Sequence, residues 1–150
     1  MLTKTLKSLF SRDLKNLRQE IELYQSEKAL WVTDKSINNS GGNLCLHLVG
    51  NLNAYIGDTL GKSGYVRHRD LEFSLKDVPR SELLNQIDDT IRTVEGVLEN
   101  LRDEDLQLEF PILVLEQRTS TEYFLVHLAT HLSYHLGQVN YHRRLLDIKA

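Results

Sequence analysis

Four of the six histidines fall in the last helical stretch of the chain, and three of them recur at four-residue intervals: His127, His131 and His135. On an α-helix, residues at i, i+4 and i+8 climb one face, each about 40° further round than the last. His142 rejoins that sector two turns later. A buried imidazole brings two ring nitrogens that must be satisfied, and a metal ion is the commonest partner that satisfies several at once. A histidine pair four residues apart can clamp one ion between adjacent turns, and His47, distant in sequence, offers a third ligand. Three histidines with an open fourth position make a reactive site, whereas structural zinc sites fill all four places. Taken singly, each of these histidines has an ordinary alternative, a core or surface ring capped by backbone and water.

Positioning such a site requires helices, and the apolar spacing supplies four. The first runs from about Leu2 to Ser26 on the stripe Leu6, Phe10, Leu14, Leu17, Ile21 and Tyr24. A polar loop, residues 34–42, leads to a second helix from about Asn43 to Leu60, through Leu44, His47, Val49, Leu52 and Tyr55. The face bearing His47 continues through Asn51, Tyr55 and Asp58, and Gly61 and Gly64 end the helix. Residues 62–78 form a long, irregular connection. The third helix opens near Pro79 and carries Leu84, Ile87, Ile91, Val94, Leu98 and Leu101. A loop around Pro111 follows, in which residues 112–115 form a short apolar run that suits an extended piece. Thr119 and Glu122 match a helix-opening capping box, and the fourth helix then reaches about Asp147. On it, Phe124 and Gln138 share the histidine sector, while Leu125, Leu128, Leu132, Leu136 and Val139 cover the adjoining one. The expected fold is all-α, an antiparallel four-helix bundle forming a single domain over residues 1–150. Such bundles build metal sites from side chains projecting inward on facing helices.

Composition narrows the function classes. With 41% hydrophobic and 26% charged residues the chain has the balance of a globular domain. A formal net charge of -3 gives no electrostatic pull toward nucleic acid. No apolar run approaches the roughly 18 residues a membrane helix needs, and the N-terminus lacks the pattern of a secretory signal. A single cysteine, Cys45, excludes an internal disulfide framework and fits a reducing, cytoplasmic setting. On the helical wheel Cys45 points about 200° away from His47, as a small buried hydrophobe would.

Several familiar chemistries fail on spacing. Gly57 to Ser63 looks like a phosphate-binding loop but has three residues between its glycines where four are required, and it follows a helix. A zinc peptidase needs Glu directly after the first histidine of its pair, and Leu128 and Leu132 stand in those places. No Glu-x-x-His pair supports a di-iron site. No carboxylate is evident beside the histidines, and Asp58 lies too far along its helix. That suits a mechanism in which the metal itself generates the nucleophile. Arg67, Arg69, Asp70 and Glu72 read first as an ion-pair network tying the long connection to the bundle. In the alternative, the arginines face the metal and receive an anionic substrate. Tyr134 and Tyr141 flank the ligand sector, where they either line a pocket or simply pack.

The stretch His131-Leu132-Ser133-Tyr134-His135-Leu136-Gly137-Gln138 resembles the His-x3-His-x-Gly-Gln signature of the DinB/YfiT-like superfamily of four-helix metalloproteins. The segment Leu46 to Leu52 is similar to its second-helix motif, and Arg67 to Phe73 resembles a loop motif of one uncharacterised branch. The resemblance implies that His47, His131 and His135 hold one divalent ion, zinc or nickel. It leaves His127 outside the ligand set, behind the ligands or in the pocket, together with Asn51 and Tyr134. It also gives Gln138 a supporting role and makes Gly137 a point of close helix packing. Family members of known activity include thiol-dependent transferases and isomerases. The implied function is therefore a metal-dependent enzyme that activates a low-molecular-weight thiol toward a small-molecule substrate, with hydrolysis the lesser variant. The alternative is a non-catalytic binding module, in the form of a homodimer, whose metal is structural or vestigial.

Overall fold

The computed structural model describes residues 1–147. Among these the chain is all-helical, with five α-helices and no β-strand: α1 (Leu2–Leu23), α2 (Gly41–Leu52), α3 (Arg69–Ser74), α4 (Arg80–Asn100) and α5 (Thr121–Leu146). None of these helices is long and apolar enough to cross a membrane.

Helix α1 buries Leu6, Phe10, Leu14, Leu17 and Ile21, the stripe expected from its spacing. Each such side chain contributes about 1.5–3 kcal/mol by leaving water. The helix stops at Leu23, short of the expected Ser26, because Tyr24 turns to φ -58° and ψ 127°. Tyr24 is buried, and its hydroxyl donates to Nδ1 of His142 at 2.6 Å. His142 in turn donates from Nε2 to the carbonyl of Val32 at 2.7 Å. His142 thus serves the core between α1 and α5, although it shares the sector of the histidine ladder on a helical wheel.

Helix α2 is opened by Ser40, whose hydroxyl accepts from the backbone N–H of Asn43. It is buried on every side rather than amphipathic, since all twelve residues from Gly41 to Leu52 are shielded. Beyond Leu52 the helix widens into a π-helical segment, Asn53–Leu60. Its looser winding rotates later residues away from the face that an α-helical wheel assigns them. Tyr55 still meets Phe124 edge-on at 5.3 Å, but Asp58 is spent on the following turn, accepting from the N–H of Gly64 at 2.9 Å.

Helix α4 buries Leu83, Ile87, Thr90, Val94 and Leu98, so its buried face is turned slightly from the expected one, with Leu84 and Ile91 only partly covered. Helix α5 is capped by Ser120, whose hydroxyl accepts from the N–H of Tyr123 at 3.1 Å. Ser120, not Thr119, is its cap. Residues 112–115 are irregular, with Ile112, Leu113 and Val114 exposed, and form no strand.

The long helices pack in a ring of contacts: α1 against α4 and α5, and α2 against α5 and α4. Polar rims reinforce two of these seams, with Arg18 paired to Asp88 and Arg143 to Glu20, both at 2.7 Å. The element absent from the sequence reading is α3, six residues within the supposedly irregular connection, and it packs on α2. Asn43, in the first turn of α2, fixes it there. The Asn43 amide donates to the carbonyls of Glu72 and Leu75, both at 2.9 Å, satisfying acceptors that the end of a helix leaves unpaired.

Candidate metal centre

His47 sits in the middle of α2, and His131 and His135 lie one turn apart on α5, which packs against it. The Nε2 atom of His131 is 3.2 Å from Nε2 of His47 and 3.1 Å from Nε2 of His135. The three residues each offer a ligand atom within 4.8 Å of the others. Two nitrogens bound tetrahedrally to one zinc ion at about 2.0–2.1 Å stand about 3.3–3.4 Å apart. The spacing therefore suits a single ion with three imidazole ligands. Among the described residues no further His, Cys, Asp or Glu joins the cluster.

Protonation makes the same point. Nδ1 of His47 lies 3.0 Å from Oε1 of Glu72, closer than the 3.4 Å to Nη2 of Arg67, and an ionised carboxylate only accepts, so the hydrogen is on Nδ1 and Nε2 is bare. Nδ1 of His135 lies 2.7 Å from Oε1 of Gln138, which leaves its Nε2 bare as well. His131 has at most one proton to offer to two such nitrogens, so at least one of them is left with no hydrogen to accept within the cluster. A cation at the centre satisfies all three. Burial, reinforced by the neighbouring His135, His47 and His127 rings, pushes His131 down to about 4. Burial also lowers His135, against the opposing hydrogen bond to Gln138. Both shifts favour the uncharged ring for His131 and His135, the form a metal requires.

Around the cluster, the ring of Phe73 lies 5.0 Å from that of His47. His127 is half-buried and separate from the donor cluster, with its ring 6.2 Å from His131 and 5.7 Å from Phe124. Asn51 is buried one turn beyond His47, and its Oδ1 has no hydrogen-bond partner among the described residues. Tyr134 is exposed and edge-on to His135 at 5.3 Å, while Tyr141 is exposed beneath the guanidinium of Arg144 at 5.2 Å. Gly137 does not mediate a close approach, because a Cβ added there meets nothing within 4 Å.

The largest departure from the sequence reading is Glu72. A carboxylate does lie beside the three histidines, carried by α3. Its Oε2 accepts from Nε of Arg67 at 2.8 Å, and its Oε1 accepts from the same guanidinium at 2.9 Å as well as from His47. Burial alone would raise its pKa, but the hydrogen bonds from His47 and Arg67 prevail and hold it below the usual carboxylate range. Of the four residues expected to form an ion-pair network, Arg67 and Glu72 form the ion pair, while Arg69 lies over the Phe73 ring at 5.9 Å and Asp70 is exposed. One signal for Glu72 was present in the sequence: Gly50, three residues after His47. A glycine inside a buried helix marks a close approach. A Cβ at Gly50 would stand 1.9 Å from Oε2 of Glu72.

No curated protein matches the chain. A family model does, over residues 3–149, and the chain accordingly belongs to the protein family of unknown function DUF1572.

Proposed function

We propose that this protein is a divalent-metal-dependent enzyme built on an antiparallel four-helix bundle of the DinB/YfiT-like kind, and that it transfers a low-molecular-weight thiol to a small electrophile. The observation that supports this most is the convergence of three Nε2 atoms, from His47, His131 and His135, with no fourth His, Cys, Asp or Glu beside them among the described residues. When bound there, zinc or nickel supplies Lewis acidity that lowers the pKa of a thiol or water in the remaining position. The imidazoles are neutral ligands, so they leave the charge at the site available to an anionic sulfur. His131 and His135 are only partly covered, which keeps that position reachable from solvent. Glu72 lies on the Nδ1 side of His47, away from the converging nitrogens, so the nucleophile is not deprotonated by it. The preference for a thiol over water follows the resemblance of the His131 to Gln138 signature. All three donors come from one chain, and the site needs no second copy to complete it.

The test is elemental analysis of protein purified without a histidine tag, beside a His131→Ala/His135→Ala variant. The parent is expected to carry about one equivalent of metal, and the variant to lose it while keeping its helical circular dichroism. The metal-loaded parent should then conjugate thiols to small electrophiles, and the variant should not. A parent that holds no metal and takes up neither zinc, nickel nor manganese would refute the reading and leave a histidine-rich interaction module.

A further inference from the structure

We infer that Glu72 is a positioning residue for the metal site: it holds His47 in the Nδ1–H tautomer with Nε2 aimed at the ion, and Arg67 and Gly50 hold Glu72 in turn. This rests on the metal reading above. Helix α3 is built backwards for a surface helix. Its one buried residue is Glu72, 6% exposed, while Leu71 just before it and Leu75 just after the helix are 47% and 40% exposed. Ordinary packing would bury the leucines and expose the acid. The inversion is maintained by specific contacts. Asn43 fixes the backbone carbonyl of Glu72, Arg67 grips both carboxylate oxygens, and the missing side chain of Gly50 leaves the carboxylate room against α2.

This arrangement orients and does not react. Both oxygens of Glu72 are engaged, and the group faces the side of the His47 ring opposite the cluster. Which ring nitrogen of a histidine carries the proton is set by the hydrogen bond the other nitrogen makes, and a carboxylate partner also strengthens the ligand. Arg67 cancels the charge, so the pair adds orientation without changing the net charge of the site. The three ligands are held unequally. His47 has a buried, ion-paired carboxylate, His135 has the exposed amide of Gln138, and Nδ1 of His131 is buried without a partner among the described residues. His47 is the fixed corner against which α5 brings the other two.

The experiment uses the full chain, metal-free and zinc-loaded. Long-range proton–nitrogen spectra of the metal-free parent should show His47 with its proton on Nδ1. In Glu72→Gln that tautomer should give way to a mixture, and zinc affinity, read by chelator competition, should fall about 10–100-fold. Because Glu72→Gln leaves Arg67 facing an amide, Arg67→Met/Glu72→Gln removes both charges, and the same two changes are expected in it. A purely structural role would alter unfolding without moving the tautomer. His47 remaining wholly Nδ1–H in the variants, or zinc affinity within about threefold of the parent, would overturn the inference. A failure of the metal reading looks different: the parent itself takes up no zinc, and the tautomer then decides the role of Glu72 alone.

Discussion

Replacing Gly50 by alanine adds one methyl group where the structure has no room for it. The new Cβ would lie 1.9 Å from Oε2 and 2.6 Å from Cδ of Glu72, well inside contact. A flexible carboxylate would ordinarily swing aside, but this one is pinned by Arg67 at 2.8 Å and 2.9 Å and by His47 at 3.0 Å. Moving it forfeits hydrogen bonds to charged groups worth about 1.5–3 kcal/mol each. If the helices shift instead, overpacking costs about 1–3 kcal/mol. Alanine returns about 1 kcal/mol through its better helix propensity. The expected net loss is about 2–4 kcal/mol, since relaxation will share the clash between the two routes. For a chain of this size that is about 5–15 °C in Tm. Thermal and urea unfolding of the chelator-treated protein measures it. Gly96→Ala and Gly137→Ala provide the comparison, because a Cβ at either position meets nothing within 4 Å. Each should stabilise the protein by up to about 1 kcal/mol. Gly50→Ala unfolding like those two, at or above the parent, would refute the close approach of Glu72 to α2.

Two further outcomes follow from the structure. Ser120→Ala should cost about 1 kcal/mol in urea unfolding through loss of the α5 cap, whereas Thr119→Ala should be close to neutral; the reverse order would return the cap to Thr119. Stability should also fall in acid. His131, pushed down to about 4 by burial and its neighbouring rings, and His142, lowered by burial, both resist protonation in the folded state. The unfolded chain takes up those protons first, so their contribution is complete above the ordinary histidine value of about 6.5. It is lost as pH drops through the lowered folded values. Urea midpoints of metal-free protein that stay flat from about pH 8 down to about pH 4 would contradict this.

The parts of the fold legible in the sequence are those with long apolar periodicity. The α1 stripe from Leu6 to Ile21 is buried as its spacing requires, and the start of α4 follows Pro79. The site was legible to the extent that its ladder on α5 could be read, but periodicity could not separate His127 or His142 from the other two. That separation depends on which rings α2 meets, and on Tyr24 and Val32 claiming His142. Helix α3 was hidden because six residues give no period, and because it buries an acid between exposed leucines. Without α3, Glu72 had no place beside His47. The wheel drawn for α2 failed after Leu52, where the π-helical winding begins, which is why Asp58 was assigned a face it does not occupy.

The contact between Gly50 and Glu72 also constrains the order in which this sequence can change. While Glu72 is present, a side chain at position 50 collides with it; once Glu72 is replaced by a small residue that collision is gone, leaving Nε of Arg67, at 3.4 Å, near a Cβ there. The dependence runs in one direction. Relatives with Gly50 and no acid at position 72 are accessible intermediates, whereas relatives with the acid and a larger residue at position 50 must have rebuilt the α2–α3 seam. A descendant that loses Glu72 and then fills position 50 regains the carboxylate by reverting position 72 alone only at the cost of that collision. The missing methyl group of Gly50 therefore acts as a ratchet on the lineage.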